Sequence, residues 1–373
     1  GSLCTALAPS LGLIIAARVL TGAGAAFLTA GTLAIVLPMF PPSKAGEVIG
    51  YWGAVGSVAG WLTPLFGPFL VAHSWRWAFA TIVPIGLFVI VMGLRVLPEQ
   101  RATLPPGRTD TVSLIAGPPA LGLLMLFLSN GRVWGWTSTP TLLIAVAMVG
   151  FMVVLVHRSL HAERPLLDLD LLRVKGYTGN LLTGVCQQAG FFAFFITGPL
   201  IMINVWQWSV GKVGVAIAVS QMPSSIGSPL GGRLVKRFGY RDLEIAGALF
   251  AASGVAWMVL TAGPTANVWF GYLPGALLFG FGCSLCGTLS SGAALASLPP
   301  DVLGIGNSLQ QLLRRMGGAI GVAIAYVLLG DAKGPALLAG GRRVWWMVVV
   351  VHLVALVPLI ALTDRSRRGG EYA

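Results

Sequence analysis

The sequence predicts an all-α polytopic membrane protein, and three observations carry that prediction. Its 373 residues are 56% hydrophobic and 10% charged, where a soluble domain carries roughly 25% charged residues. The mean hydropathy is +0.84. The apolar residues come in runs of about 18 to 25, the length that crosses a hydrocarbon core roughly 30 Å thick. A net charge of +12 would fit a nucleic-acid partner only if basic residues clustered on one face with a binding motif. Here they punctuate the apolar runs, so the expected surroundings are a lipid bilayer and no nucleic acid.

Complete spans are expected near residues 11–37, 48–71, 76–97, 112–130, 140–157, 177–203, 212–235, 243–262, 268–296, 306–329 and 343–363, eleven in all. The opening GSLCTALAPS reads as the tail of another span, because it is apolar, too short to cross and ended by Pro9-Ser10. The chain opens on Gly1, so further sequence is expected upstream. Lys and Arg in alternate connections split 15 to 6, and the excess of positive charge marks the cytoplasmic side. The richer set includes Lys44, Arg95, Arg158, Arg173, Lys175, Arg233, Lys236 and the tail residues Arg365, Arg367 and Arg368, which predicts a cytoplasmic C-terminus. Nine of twelve tryptophans, among them Trp75, Trp77, Trp134, Trp136, Trp206, Trp208, Trp345 and Trp346, fall at the opposite end, where amphipathic rings form an interfacial belt.

Arg18 sits inside the first apolar run. A guanidinium at the centre of a membrane helix costs on the order of 3 kcal/mol and usually faces a bundle interior or a water-filled cavity. Snorkelling is the alternative, since at 1.5 Å per residue Arg18 lies about 10 Å from its end of the helix. Gly22, Gly24, Ala25 and Ala26 follow one turn later, and small residues at this spacing let helix backbones approach in lipid.

The string Arg18-Val-Leu-Thr-Gly22-Ala-Gly24-Ala-Ala resembles the fourth-helix motif of the drug:proton antiporters in the major facilitator superfamily. Later stretches are similar, in order, to the 14-span branch of that family. Trp75-Arg76-Trp77-Ala-Phe79 resembles the entry to span 6, and Gly131-Arg-Val-Trp-Gly135-Trp136 the turn between the additional helices. Glu163-Arg-Pro165-Leu-Leu167 resembles the linker into the second half, and Asn307 to Gly321 resembles span 13. The resemblance implies a major facilitator fold of two six-helix bundles plus two additional linker helices, with the first bundle truncated. Residues 1–98 would be the incomplete N-terminal bundle, 99–175 the linker region, 176–364 the C-terminal bundle and 365–373 a cytoplasmic tail. The implied function is secondary active transport: proton-coupled antiport exporting small hydrophobic or cationic drugs through a bacterial inner membrane by alternating access. Export of one specific metabolite, and a transport-incompetent truncated protein, are the alternatives.

On that resemblance Arg18, Gly22 and Gly24 serve proton coupling. The antiporter helix carries Gly50, Gly56, Gly60, Pro64, Gly67 and Pro68, with Thr63 and Pro68 standing where the family carries Gly. A degenerate copy of the family's loop motif runs Gly232-Arg-Leu-Val-Lys236-Arg237-Phe-Gly239-Tyr-Arg241, with Lys236 at the usual acidic position. Such a loop could pair with carboxylates or helix C-termini and lock one conformation; a plain positive-inside loop explains its charge equally well. Read from the residues themselves, a cavity for bulky apolar cations uses aromatic faces and a few amides. Gln187, Gln188, Phe191 and Phe195 of span 9, with Gln310 and Arg314 of span 13, are the candidates. Gln310 shares a face with Arg314, and Gln311 with Arg315. Adjacent positions are about 100° apart, so one pair is expected to face the cavity and the other to turn toward the headgroups.

No metal or cofactor is expected, the proton gradient being the implied energy source. Cys283 and Cys286 form a C-x-x-C inside an apolar span without further ligands and read as packing residues. His157 and His161 stand at i, i+4, a chelating spacing, but they end span 8 beside Arg158. No nucleophile with a base appears within the spans, so the chain is not expected to be an enzyme. All twelve acidic residues fall in loops or at span ends. Proton-driven exchange normally uses a titrating group inside the membrane, so that carboxylate is expected in upstream sequence, or else the coupling differs.

Overall fold

Lipid offers no hydrogen bonds to a backbone, so each apolar run must satisfy its own amides as a helix. The computed structural model describes residues 1–41, 44–97, 110–161, 167–265, 267–299, 302–330 and 334–363. Helices α1 (Ser2–Leu7), α2 (Leu11–Val36), α3 (Ala45–His73), α4 (Trp77–Ala80) and α5 (Ile82–Val96) come first. The hairpin α6 (Thr111–Trp134) and α7 (Thr139–His161) follows. Then come α8 (Lys175–Asn204), α9 (Val210–Gln221), α10 (Ser224–Thr261), α11 (Leu273–Ala296), α12 (Leu303–Leu329), α13 (Pro335–Val354) and α14 (Leu356–Leu362). The resemblance to a linker at Glu163–Pro165 and the tail 365–373 lie outside the described residues.

Ten stretches among the described residues are long and apolar enough to cross a membrane. One of them, Val210–Thr261, has 52 residues, twice the length a crossing needs. It breaks at Gly239, whose φ of 79° and ψ of 166° interrupt α10. Counted as two crossings, it makes the eleven expected from the apolar runs. That corner of φ/ψ space is essentially open to glycine alone, and other residues pay on the order of 1–3 kcal/mol there. Gly239→Ala is therefore expected to lower the thermal unfolding midpoint of the detergent-solubilised protein; an unchanged midpoint would show that the bend relaxes freely.

The last span begins earlier than its apolar run. Sequence placed its start at 343, yet α13 begins at Pro335 and carries Arg342 and Arg343 inside it. Arg342 is accommodated because its Nη2 donates to the carbonyl of Ala262, the C-cap of α10, and Gly340 lies against the Leu329 backbone of α12.

The densest core lies in the α8–α14 bundle, where Phe194, Ile201, Met258, Tyr272, Phe279 and Trp345 pack together. Here α10 and α11 approach to backbone contact. A Cβ added at Gly254 would sit 2.6 Å from the Phe279 nitrogen, the small-residue packing that brings helices together in lipid. In α1–α5 the buried apolar side chains among the described residues are Ala6, Ala8, Ala17 and Ile49. This segment reaches the bundle mainly through α3, which packs along α9 and α10, and through α2 against α12.

Asp110 ties the hairpin at one end. Its carboxylate caps α6 by accepting from Ser113 N at 3.2 Å and Ser113 Oγ at 2.6 Å, and it pairs with Arg158 of α7 at 3.1 Å. The Ser113 hydroxyl first, then the Arg158 guanidinium, hold its carboxyl below the ordinary carboxylate value. A lowered value means the bond stabilises above the ordinary range near pH 4 and is lost as pH falls through the lowered value. Asp110→Ala is expected to remove about 1 kcal/mol, read as a lower unfolding midpoint at neutral pH that converges on wild type in acid.

Candidate functional site

A cavity of ≈ 950 Å³ lies between the α2–α5 segment and the α8–α14 bundle. Leu28 and Thr32 of α2 and Trp52, Gly56, Ser57 and Gly60 of α3 form one wall. Opposite stand Gln187, Gln188 and Phe191 of α8, Gln221 of α9 and Ser224 of α10. Cys283, Ser284, Gly287, Thr288 and Ser291 of α11 and Gln311, Arg314 and Arg315 of α12 complete it.

Arg314 organises the polar side. Its Nη1 donates to the Gly287 carbonyl at 3.0 Å and to Ser291 Oγ, and its Nη2 donates to Gln187 Oε1 at 3.4 Å. Gln187 Nε2 in turn donates to the Cys283 carbonyl at 2.9 Å. A guanidinium away from water is tolerated only when its donors are engaged, and small residues make the room. A Cβ on Gly287 would sit 2.6 Å from Gln187 Nε2, and one on Gly184 would sit 3.3 Å from Arg314 Cδ. Phe191, one turn along α8 from Gln187, stacks on Phe195 at 5.4 Å and lies 6.4 Å from Phe279, adding an aromatic face beside the polar one. No carboxylate is among the described residues that line the cavity, so its two arginines leave it positive.

Two of the expected cavity residues stand elsewhere. Gln310 is fully buried, and its Nε2 donates to the Ser290 carbonyl at 3.3 Å. One step of helix rotation brings Gln311 to the wall in its place. Phe195 lies behind Phe191 rather than on the lining. Both arginines line the cavity, Arg315 being exposed at its edge, so the expected division into one inward and one snorkelling residue does not appear.

Helix α3, the segment that resembles the antiporter helix, joins the N-terminal helices to the α8–α14 bundle. Gly50 faces Gly232 of the loop motif so closely that a Cβ on Gly50 would sit 3.3 Å from Gly232 Cα. Pro64 and Pro68 lie against Gly214 of α9, where an added Cβ would be 2.9 Å from Pro68 Cγ. Gly56 and Gly60 line the cavity, and nothing lies within 4 Å of a Cβ built on Gly67. Trp61 Nε1 donates to Ser225 Oγ at 3.1 Å, and Asn307 Nδ2 of α12 reaches the Thr29 carbonyl of α2 at 3.2 Å.

The loop motif contributes charged contacts at the end rich in Lys and Arg. Lys236 pairs with Glu47 at 3.0 Å, and Arg233 Nη2 donates to Tyr51 Oη at 3.0 Å, both across to α3. Arg241 donates at 3.2 Å to the carbonyls of Ile360 and Thr363, the C-terminal end of α14. Arg237 is exposed beside Phe238. Arg18 lies outside this assembly: it is exposed, with its guanidinium 4.2 Å over the Phe79 ring. Nothing lies within 4 Å of a Cβ built on Gly22 or Gly24.

Glu244 went unnoticed in the sequence, where it stands at the edge of an apolar run. In the structure it is fully buried. The available signal was its register: Gly247, Ala248 and Ala251 follow at i+3, i+4 and i+7, a small-residue stripe that places the carboxyl on a packing face.

A family model described as Major Facilitator Superfamily matches residues 1–175 and 181–371. The chain belongs to the Major Facilitator Superfamily. It is 28% identical over 340 residues to the multidrug resistance protein B homolog of Mycobacterium tuberculosis, strain ATCC 25618 / H37Rv, covering 88% of this chain and 61% of the relative. It is 27% identical over 336 residues to the tetracenomycin C resistance and export protein of Streptomyces glaucescens, again covering 88% and 61%. The chain thus spans about three fifths of the length of these curated relatives. The crystal structure of the Major Facilitator Superfamily transporter FucP in the outward conformation aligns with a TM-score of 0.42 and 13% identity, over 95% of this chain and 92% of that one. As a Major Facilitator Superfamily chain, this multi-pass membrane protein has the family and fold of transporters rather than enzymes.

Proposed function

We propose that the protein is a proton-coupled antiporter that exports hydrophobic drug-like compounds across a bacterial inner membrane by alternating access. The observation that carries this reading is the cavity of ≈ 950 Å³ shared by the two helical units. Its volume suits a drug-sized molecule, and its aromatic and amide lining with a fixed guanidinium gives orientation without demanding one substrate. The resistance and export names of its relatives support the same reading. The Lys/Arg bias supports a cytoplasmic basic end and C-terminus, with the α3–α10 charged contacts at that end. Of the two substrate classes expected from sequence, the hydrophobic one fits better, because a cation entering meets Arg314 and Arg315 and no lining carboxylate among the described residues.

The test is efflux of neutral and cationic dyes from drug-hypersensitive bacteria expressing the complete open reading frame, with and without a protonophore. Neutral dyes should be exported, and export should collapse with the protonophore. Arg18→Ala, present at wild-type level in the membrane, should lose it if that residue serves proton coupling. Movement of a single compound would replace the broad reading by a metabolite exporter. No movement by protein shown to be in the membrane would leave a transport-incompetent one.

A further inference from the structure

Glu244 lies five residues beyond the bend at Gly239, on the face of α10 that meets α11. Gly247, on the same face, is so near α11 that an added Cβ would sit 2.6 Å from the Cys286 nitrogen and 3.0 Å from the Gly282 carbonyl oxygen. Glu244 is 0% exposed, and neither carboxyl oxygen has a hydrogen-bond partner. An ionised carboxylate sealed off in this way carries a desolvation penalty of several kcal/mol, which pairing or protonation must relieve. Pairing is not made here. The Arg314 guanidinium reaches the same α11 from the cavity side, but its donors go to Gly287, Ser291 and Gln187.

We propose that Glu244 is a proton-binding carboxyl group one layer behind the cavity wall, and that losing its proton draws the charge of Arg314 away from the cavity. The idea rests on the proton-coupled export proposed above and supplies a membrane carboxylate that the apolar runs alone had put outside the spans. On release the carboxyl O–H bond breaks, the proton passes to water in the cavity, and the carboxylate left behind turns to the guanidinium. With Glu244 protonated, Arg314 is left to its amide and carbonyl partners and to the transported molecule. One group thus carries the proton and sets how strongly the cavity holds its substrate.

The ionisable side chains of α11 are the buried Cys283 and Cys286. On α10 itself Tyr240 and Asp242 have interactions of their own, and on α13 Arg342 donates to the Ala262 carbonyl. On α13, His352 turns to Cys283 at 3.8 Å and to the Val348 carbonyl. On α3, Glu47 and Tyr51 are engaged by Lys236 and Arg233. Upstream on α10, Arg241 is held by the end of α14, and α14 itself has no ionisable side chain.

The experiment uses the protein from its complete open reading frame in liposomes, with a neutral dye and an internal pH-sensitive fluorophore. Wild type should move protons against dye; Glu244→Gln should still move dye down its own gradient but lose the linked proton movement, and Glu244→Asp should recover part of it. Linked proton movement retained in folded Glu244→Gln overturns the assignment and leaves proton-coupled export standing. An infrared pH titration of the carboxyl stretch decides the assignment separately. A titrating band of wild type that vanishes in Glu244→Gln, or shifts in Glu244→Asp should the Gln variant not fold, supports it; a band unchanged by both overturns it. Wild type that moves dye without protons defeats the coupling itself, and the infrared titration then still decides whether Glu244 binds a proton.

Discussion

Arg314→Ala is expected to abolish export while the protein still reaches the membrane. The substitution removes the charge from the cavity wall and takes its donors from Ser291 Oγ and Gln187 Oε1, while the Gly287 carbonyl keeps only the Ser290 and Ser291 hydroxyls as side-chain donors. Hydrogen bonds from a charged donor contribute about 1.5–3 kcal/mol each, and a buried acceptor left unpaired adds its desolvation penalty. A loss of about 3 kcal/mol in stability is therefore expected beside the loss of function. Arg314→Lys should restore little, because an ammonium cannot reproduce the fork that holds a carbonyl, a hydroxyl and an amide at once. Dye efflux and thermal unfolding in detergent check the two effects separately. Wild-type efflux by Arg314→Ala would reduce the guanidinium to a packing element.

The second large effect is expected at Gly232→Leu. A Cβ there would come against the Gly46 carbonyl oxygen and within 3.1 Å of Gly50 Cα. These are backbone atoms and cannot swing aside as a side-chain end can. Overpacking such a contact typically costs about 1–3 kcal/mol, and here the strain falls on the seam that also carries Lys236–Glu47 and the Arg233–Tyr51 hydrogen bond. The variant should keep its helical circular dichroism and lose export, because α3 and α10 can no longer close. Gly67→Ala is the control: it sits on α3, the partner helix of this seam, off the cavity lining, nothing lies within 4 Å of the added Cβ, and export should stay near wild type. Export by Gly232→Leu equal to that of Gly67→Ala would mean that this seam takes no part in the cycle.

The same two sites show where sequence reading reaches and where it stops. Gly232 and Gly50 were both singled out, in two separate motifs, but their contact could not be foreseen; they are 182 positions apart and meet only because α3 lies along α10. Gln310 and Gln311 illustrate a finer limit. Helical periodicity established that they point about 100° apart, yet only the packing of α12 on α8 and α11 decides which one reaches the cavity. Arg342 fell before the expected span because charge ended the apolar run, whereas the Ala262 carbonyl at the end of α10 receives Arg342 and lets the helix start earlier.

From the sequence by itself came the membrane character, the number of crossings and the superfamily. The first two follow from a constraint that acts along the chain, about 20 apolar residues per crossing with the backbone satisfied inside each helix; the superfamily came from the resemblance of its motifs. The tertiary structure alone decided which side chains share the cavity, how Arg314 is held and where Glu244 is buried. In lipid an apolar surface does not choose its neighbour, so the rotation and pairing of helices are set by close packing of small residues and by the few polar groups that must find partners.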